Sequence, residues 1–164
     1  MSTPTHRSTS GSSYFVNTKC WQNRSAFQVV EIADILLNTL FDYCDAKAYL
    51  LDEFVIMPDQ LHLILTPSST TSLEKAIQLI KGGSSHQIHK VRTQHMQIWQ
   101  EGIYDSDDSR RNHWRTRMQY IHMNPVHARL AQLPKDWPYS SASGKFLLDA
   151  VPDRWQKLAS EAKA

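Results

Sequence analysis

Two neighbouring apolar runs, residues 47–57 and 60–66, constrain the fold of this chain more than any other feature. The second run begins QLHLIL, so that leucine occupies every other position. Alternate residues of a β-strand point to the same face, and the leucines therefore predict a strand with one face in a core. A Pro-Asp pair separates the runs, as is typical of a tight turn. The sequence predicts a β-hairpin here, with a bulge or bend at Asp52-Glu53 in its first strand.

Hydrophobic periodicity predicts helices and further strands on both sides of the hairpin. In chain order, the remaining predicted elements are a strand at 12–20, a helix at 25–44 capped by Ser25, a helix at 73–81 ended by Gly82-Gly83, a helix beginning at Ser84-Ser85, a strand at 97–104, a turn at 105–109, a helix at 110–124, a short helix at 125–131 started by Pro125 and a helix after Gly144. Hairpin and crossover connections are mixed in this order, which indicates a largely antiparallel sheet with the helices packed on one face. We therefore predict an α+β domain of the ferredoxin-like kind.

Length and composition are those of one globular domain. The chain has 164 residues, of which 41% are apolar and 21% charged, values that exclude a disordered or collagen-like chain. We expect one domain at 13–145, a disordered tail at 1–12 and a C-terminal helix or tail at 146–164. Cys20 and Cys44 lack metal-site spacing and are expected to be reduced thiols. No apolar run suits a signal sequence or a membrane span, so a cytoplasmic protein without membrane contact is the expectation.

Charge is divided unequally along the chain. The formal net charge is +2, a balance that by itself argues against a nucleic-acid partner. Residues 1–80 contain 5 basic and 8 acidic side chains, whereas residues 81–164 contain 13 and 8. Seven of the eight histidines also lie at or after position 62. The total therefore hides a basic half, and any surface for a polyanion is expected there.

Two polar patterns are candidates for a functional site. Gln60 and His62 alternate with the core leucines and share the opposite face of their strand, where two side chains can hold one metal ion. Tyr120 and Asn124 are four residues apart and lie one above the other on a predicted helix. The inward stripe of the same helix consists of Trp114, Met118 and Ile121. Each pattern taken alone is also typical of a merely solvated face.

Together, the two segments resemble a known family. MPDQLHLIL followed by YIHMNPVHARL resembles the single-tyrosine HUH transposases, most closely their REP-associated subgroup (RAYTs). In that subgroup the first segment typically reads M-P-N-H-V-H-L-L and the second Y-I-H-x-N-P-V-x-A. Four further stretches are also similar to the subgroup, namely YFVNT, IKGGSS, IWQEGIYD and WPYSS. The resemblance covers about residues 14–145, and the NPV segment is its most specific part.

The resemblance implies a DNA-cleaving enzyme with a tyrosine nucleophile on its last core helix. Members of the family cut single-stranded DNA at or near hairpins and form a 5′-phosphotyrosine link. Carried over to this chain, the nucleophile is Tyr120, and the ligands of Mg²⁺ or Mn²⁺ are Gln60, His62 and Asn124. The metal would polarise the scissile phosphate. A free tyrosine is a weak nucleophile at neutral pH, so that a nearby cation or Arg117 would assist it.

Gln60 departs from the family pattern, in which a histidine stands at that position. The side-chain carbonyl oxygen of Gln60 is a neutral hard ligand suited to Mg²⁺ or Mn²⁺. The first interpretation is therefore that the metal site is altered rather than lost. The alternative is a catalytically degenerate member that binds hairpin DNA without cutting it. A third interpretation, an RNA- or nucleotide-processing protein on the same frame, lacks the aromatic strand pattern of RNA-recognition domains.

The resemblance implies single-stranded or hairpin (REP-like) DNA as the partner and no small-molecule substrate. It also implies that the protein is associated with the nucleoid. A monomer is favoured over a dimer by the features of the subgroup. Basic side chains neutralise phosphates, and the N–H groups of Ser84 and Ser85 at a helix start can bind one. The expected DNA-binding residues are Lys81, Ser84, Ser85, Arg110, Arg111, Arg115 and Arg117. A solvated basic surface is the alternative for each, and Arg110-Arg111 can instead pair with Asp105, Asp107 and Asp108.

Overall fold

The hairpin predicted from the two apolar runs is present as strands β2 (Tyr49–Met57) and β3 (Gln60–Pro67). The strands are antiparallel, and their register shifts around Asp52, which is the extra residue of a β-bulge. Asp52 is buried, and its Oδ2 accepts a hydrogen bond of 2.9 Å from the hydroxyl group of Thr66. The predicted bulge is confirmed, and this hydrogen bond explains how an acidic side chain fits inside the strand.

The computed structural model describes residues 12–93, 95–107, 111–146 and 148. Within them, the other regular elements are β1 (Tyr14–Lys19), α1 (Val30–Asp45), α2 (Leu73–Val91), β4 (Tyr104–Asp107) and α3 (Arg111–His127), with 3₁₀ turns at Trp21–Asn23, Ala26–Gln28, Pro134–Asp136 and Ser141–Ser143. Most of the predicted tail at 1–12, and most of the segment 146–164 with its predicted helix, lie outside the described residues. None of the described helices is long and apolar enough to cross a membrane.

The four strands form one antiparallel sheet in the order β2-β3-β1-β4. β1 lies in the interior of the sheet and pairs with β3 on one side and with β4 on the other. α1 connects β1 to β2, and α2 connects β3 to β4. This chain order combined with this spatial order is the ferredoxin-like arrangement, so that the predicted fold class is confirmed.

Helices cover both faces of the sheet, whereas the sequence predicted helices on one face. α1 and α2 pack on the face that includes Leu61, Leu63 and Leu65, which are fully buried as predicted. α3 packs on the opposite face through Trp114 and Ile121, as its predicted inward stripe requires. Their partners in the sheet are Phe15, Val55, Met57 and Ile64. The prediction was wrong because these four residues make the second face apolar as well, and both faces then require a cover.

α2 is a single helix, whereas the sequence predicted two helices separated by Gly82-Gly83. Both glycines lie inside the helix. A Cβ atom on Gly83 would lie 2.8 Å from the hydroxyl oxygen of Tyr43 and 3.3 Å from Cγ2 of Thr39, both on α1. Nothing lies within 4 Å of the same position on Gly82. Gly83 therefore allows α1 and α2 to approach closely and does not end a helix.

Alanine at the two glycines is expected to change stability in opposite directions. Gly82→Ala adds helix propensity without a clash and should raise the free energy of unfolding by about 1 kcal/mol. Gly83→Ala gains the same propensity but displaces Tyr43, and overpacking of this kind costs about 1–3 kcal/mol. The second variant should therefore be less stable than the first and no more stable than wild type. Urea denaturation measures both, and equal gains would contradict the close approach of the helices at Gly83.

α3 (Arg111–His127) includes Pro125, at which the sequence predicted an end or kink and a new helix. The helix terminates instead before Arg129, which adopts a left-handed conformation with φ of 60°. The N–H of Leu130 donates to the carbonyl oxygen of Pro125 at 2.8 Å, and that of Arg129 to Val126 at 3.0 Å. These two bonds form a Schellman motif, which satisfies the last carbonyl groups of the helix. Pro125 lies in the last turns of α3, so that the hydrogen bond lost with its missing N–H is near the end of the helix.

The fourth strand lies later in the chain than predicted. The sequence favoured a strand at 97–104 and a turn at 105–109, but β4 spans Tyr104–Asp107. The last two residues of the predicted turn lie outside the described residues. Trp99 forms an isolated antiparallel β-bridge with Cys20, the residue that follows β1. Gly102 has φ of 80°, a conformation that interrupts an extended run before β4.

α1 also begins later than predicted. Its first residue is Val30, and a 3₁₀ turn precedes it at Ala26–Gln28. Ser25 makes no side-chain capping bond and is not the N-cap of α1. Phe27 enters the core from the 3₁₀ turn, where its ring lies 5.1 Å from that of Trp99. The apolar periodicity at the start of this segment therefore belongs to a turn that packs on the core.

Candidate active site

α3 brings the tyrosine expected as nucleophile onto the strand histidine. The rings of Tyr120 and His62 meet edge to face, with their centroids 5.3 Å apart. Phe15, in β1, stacks on His62 at 6.1 Å and contacts the edge of Tyr120 at 6.0 Å. These three rings, Phe15, His62 and Tyr120, form one cluster between the sheet and α3, which we call the ring cluster. Tyr120 is 44% exposed, so that its side chain is open to a substrate.

His62 is fully buried, which excludes the merely solvated strand face that the pattern alone also allowed. Neither ring nitrogen has a hydrogen-bond partner among the described residues. Burial lowers the pKa of His62 from 6.5 to about 4, and the positive charge of Lys19 contributes to the shift. The imidazole is therefore neutral at pH 7 and keeps a free lone pair for a ligand. The histidine is buried because α3 covers this face of the sheet.

Gln60 and Asn124 lie on the two elements that meet at the ring cluster. Gln60 is the first residue of β3, where strand alternation places it on the face of His62, and it is partly buried. Asn124 is partly buried one turn after Tyr120 on α3. Among the described residues no three His, Cys, Asp or Glu side chains form a group able to hold a metal. A metal site here therefore depends on one imidazole and on amide oxygens.

Asn17 is a site residue that the sequence did not single out. It lies directly opposite His62 in the pairing of β1 with β3, and cross-strand partners share a face. Its Oδ1 is buried and has no hydrogen-bond partner in the part of the chain that the structure describes. Buried polar atoms are normally paired, so that this oxygen and the His62 nitrogens mark a place for a bound group. YFVNT contained the signal, since Asn17 alternates with Phe15 on one face of a strand.

Arg117 supplies a cation to the ring cluster. Its guanidinium carbon lies 4.7 Å from the ring centroid of Phe15, which is a cation–π distance. Arg117 precedes Tyr120 by three residues, so that both lie on one stripe of α3. The prediction that Arg117 stands near the nucleophile is consistent with this position. The contribution of Phe15, which contacts all three other side chains, is visible only in the folded chain.

Glu53 connects α3 and the segment after it to the edge strand. Its Oε2 lies 2.7 Å from Nε2 of His122, which follows Tyr120 by two residues. The hydroxyl group of Ser141 donates to the same oxygen of Glu53. The Ser141 hydroxyl group also accepts a hydrogen bond of 3.1 Å from the N–H of Phe54. The sequence singled out Glu53 only as part of the bulge and not for these contacts. No sequence signal reveals these contacts, because the partners lie far along the chain on other elements.

The hydroxyl residues expected to begin a helix lie inside α2. Ser84 is buried, and its Oγ accepts a hydrogen bond of 3.0 Å from Nε1 of Trp99. Ser85 is partly buried in the same turn, so that neither residue offers the free N–H groups of a helix start. The expected phosphate site at a helix start is wrong for both. A DNA contact through the side chain of Ser85 stays a prediction.

The basic residues expected to contact DNA are distributed over two elements. Lys81 donates to the carbonyl oxygens of Gln100 at 3.0 Å and Gly102 at 2.7 Å, and burial lowers its pKa. It therefore holds the segment before β4 in place, and a phosphate contact stays a prediction. Arg115 and Arg117 lie on α3 and are partly buried. Arg110 lies outside the described residues, and Arg111 is described as the first residue of α3.

α3 carries Tyr120 across a ferredoxin-like sheet and against His62, which is the placement that the sequence resemblance implied. The profile of the family described as "Transposase IS200 like" matches residues 12–124, which is more than half of the chain. The chain belongs to the IS200-like transposase family. The resemblance found in the sequence is thereby confirmed.

Three similar proteins are described as transposases, two of them as REP-associated tyrosine transposases. A Haemophilus influenzae protein assigned as a REP-associated tyrosine transposase is 24% identical over 161 residues, covering 90% of this chain and 89% of the relative. The solved structure of a REP-associated tyrosine transposase bound to a REP hairpin superimposes with a TM-score of 0.73 at 21% identity, covering 93% of each chain. A protein from Deinococcus radiodurans assigned as a transposase gives a TM-score of 0.52 at 19% identity, covering 73% of this chain and 95% of its own.

Proposed function

We propose that this transposase nicks and rejoins single-stranded DNA at a REP-like hairpin, with Tyr120 as the nucleophile. The observation that carries the proposal is the contact between an exposed tyrosine and a buried, neutral histidine in the ring cluster. An exposed tyrosine can reach a phosphodiester, and a neutral imidazole beside it can hold a group that binds the phosphate. The REP hairpin bound to the structural relative supports a hairpin substrate.

The proposed reaction exchanges one phosphodiester bond for another. The phenolic oxygen of Tyr120 attacks the phosphorus and forms the Oη–P bond, while the bond from phosphorus to the 3′ oxygen breaks. The phenolic proton passes to solvent, and the departing 3′ oxygen takes up a proton. The products are a free 3′-hydroxyl group and a 5′-phosphotyrosine link, and attack by a 3′-hydroxyl group reverses the step. Arg117 places positive charge beside the helix turn where negative charge develops.

Gln60, His62 and Asn124 would hold the divalent ion in this proposal. The residues fit such a group because the buried nitrogens of His62 lack partners and its lone pair is free at neutral pH. Amide oxygens are ligands that Mg²⁺ and Mn²⁺ accept, and the unpaired oxygen of Asn17 adds a further donor on the same face. When bound, the ion supplies Lewis-acid polarisation of the scissile phosphate.

A hairpin-binding protein without cleavage activity is the second candidate. Gln60 favours it, because it replaces the histidine that the family pattern has at this position. The described residues contain no group of three His, Cys, Asp or Glu side chains that could hold a metal. A site with a single imidazole binds divalent ions more weakly than one with two. Binding of the hairpin would survive such a loss, because it depends on the basic residues and not on the metal.

Incubation of the wild-type chain with a labelled single strand that contains a REP-like hairpin separates the two candidates. We expect a covalent protein–DNA adduct, stable in denaturing gels, in Mn²⁺ or Mg²⁺ and none in EDTA. Hairpin binding, measured by fluorescence anisotropy, should occur in both conditions. Binding without an adduct under every metal condition would identify the protein as degenerate. No binding at all would reject both candidates.

A further inference from the structure

The β-bulge in β2 turns Glu53 towards α3. In a regular strand Glu53 would share a face with Leu51, two residues earlier, which belongs to the core that α1 and α2 cover. The extra residue Asp52 shifts the register, so that Leu51 pairs with Leu65 but Glu53 pairs with Ile64. Directly paired residues share a face, and Ile64 belongs to the cluster beneath α3. The bulge therefore places an acidic side chain on the face that α3 covers.

Buried hydrogen bonds hold the bulge in this register. The hydroxyl group of Thr66, on β3, donates to Oδ2 of Asp52 at 2.9 Å. The hydroxyl group of Ser13, which precedes β1, lies 2.8 Å from that of Thr66. All three side chains are buried, and a register shift that removed the bulge would break these bonds inside the protein. The orientation of Glu53 towards α3 is therefore fixed by the sheet itself.

The carboxylate of Glu53 contacts α3 and also the segment that follows it. Its Oε2 lies 2.7 Å from Nε2 of His122, and the hydroxyl group of Ser141 donates to the same oxygen. The segment around Ser141 runs along the outer edge of β2, where the N–H of Ile56 donates to the carbonyl oxygen of Tyr139 at 2.8 Å. The side chains of Glu53 and His122 are only 14% and 26% exposed. Hydrogen bonds to a carboxylate are among the strong ones, and partial burial strengthens them further.

The hydrogen bond between Glu53 and His122 adds direction to the contact of α3 with the sheet. Trp114 and Ile121 hold the helix against the sheet by apolar packing, which has no preferred direction. A hydrogen bond weakens steeply when its angle or distance departs from the optimum, so that this one opposes rotation of α3 about its axis. Tyr120 precedes His122 by two residues and lies about 200° from it around the helix. The bond to β2 and the tyrosine are therefore on nearly opposite sides of α3.

A small rotation of α3 would displace the phenolic oxygen of Tyr120. A rotation of about 20° moves an atom that lies roughly 6 Å from the helix axis by about 2 Å. Misplacement of a reacting group by 1 Å can lower a rate about a hundredfold. Tyr120 is 44% exposed, so that its own surroundings do not enclose the ring on every side. The orientation of α3 therefore decides where the phenolic oxygen lies.

We propose that Glu53 is a positioning residue for the reaction of Tyr120. By holding His122 and Ser141, Glu53 fixes the rotation of α3 and hence the position of the phenolic oxygen relative to the phosphodiester. The inference rests on the proposed function, because it concerns the attack by Tyr120. It requires no contact between Glu53 and DNA, so that the residue acts on the rate of the chemical step and not on the affinity for the hairpin.

Single-turnover rates of adduct formation, at saturating hairpin and Mn²⁺, test the role of Glu53. Glu53→Ala should lower this rate by about tenfold or more. Its Kd for the hairpin, measured by anisotropy in EDTA, should stay within about twofold of wild type. Glu53→Gln keeps a side-chain oxygen that accepts from His122 and Ser141, and its rate should return to within about threefold of wild type.

His122→Ala removes the other partner of the same bond. Its rate should fall as far as that of Glu53→Ala, and the double variant should be no slower than either single one. Circular dichroism checks that each variant is folded, and His122→Ala carries the comparison should Glu53→Ala not fold. Losses that multiply in the double variant would show that the two residues act separately, which overturns the inference.

Asp34→Ala is the matched control. Asp34, on α1, accepts a hydrogen bond of 2.8 Å from the hydroxyl group of Tyr139, so that its loss loosens the same segment after α3 without touching α3. The rate in this variant should equal that of wild type. An unchanged rate in folded Glu53→Ala overturns the inference, as does an equal loss of rate in Asp34→Ala. If wild type itself forms no adduct, the proposed function is rejected together with this inference, and the two failures are therefore distinguishable.

Discussion

Tyr120→Phe is expected to abolish the covalent DNA adduct while hairpin binding stays within about twofold of wild type. The substitution removes one oxygen atom from the ring cluster, and the contacts of the ring with Phe15 and His62 are retained. Without that oxygen no Oη–P bond can form, so that adduct formation should fall by more than about a thousandfold. Denaturing gels with labelled hairpin and Mn²⁺ measure the adduct, and anisotropy measures binding.

Tyr139→Phe is the matched control for this experiment. The hydroxyl group of Tyr139 donates to Asp34 of α1 at 2.8 Å, which places it on the other side of the sheet. Its removal should leave adduct formation unchanged. Tyr104, at the start of β4, is paired with Asn17 and is the tyrosine to test next. An adduct that persists in Tyr120→Phe and disappears in Tyr104→Phe would move the nucleophile to β4 and contradict the assignment.

The sequence predicted those parts of the fold that local patterns determine. The hairpin and its bulge followed from leucine alternation and from a polar pair inside an apolar run. The predictions that were wrong concerned features that depend on contacts between secondary-structure elements. Gly82-Gly83 looks like a helix end, but the contact of Gly83 with Tyr43 on α1 explains why a glycine stands inside a continuous helix. Similarly, the Schellman motif at Arg129, and not Pro125, terminates α3.

The candidate site was predictable in its residue types but not in its surroundings. The resemblance selected Tyr120 and His62, and the folded chain brings them into contact. Alternation along β3 gave His62 a face but could not show that a helix distant in sequence would cover it. Phe15 and Glu53 were missed for the same reason, since each contacts α3 through a tertiary contact. Burial lowers the pKa of His62, and this shift predicts a dependence of stability on pH that an exposed histidine would not give.

Metal-free wild-type protein should lose about 3 kcal/mol of stability through His62 as the pH falls from 6.5 to 4. The folded-state pKa of His62 is about 4, whereas an unfolded histidine titrates near 6.5. Between these values the unfolded chain binds a proton at this side chain and the folded chain does not. Acid therefore favours the unfolded state, and the stabilisation that is present above pH 6.5 disappears towards pH 4. Lys19 opposes protonation in the same direction as burial.

His62→Gln isolates this effect from the carboxyl groups that titrate in the same range. Glutamine is neutral at every pH and of similar size, so that the variant keeps the other titrations and loses only that of His62. Urea denaturation in EDTA at a series of pH values gives the free energy of unfolding of both proteins. The difference between wild type and variant should change by about 3 kcal/mol across the interval. Parallel pH profiles would mean that His62 is protonated as readily in the folded chain as in the unfolded one, and hence that α3 does not seal it from water. In that case the imidazole would lie on an open strand face.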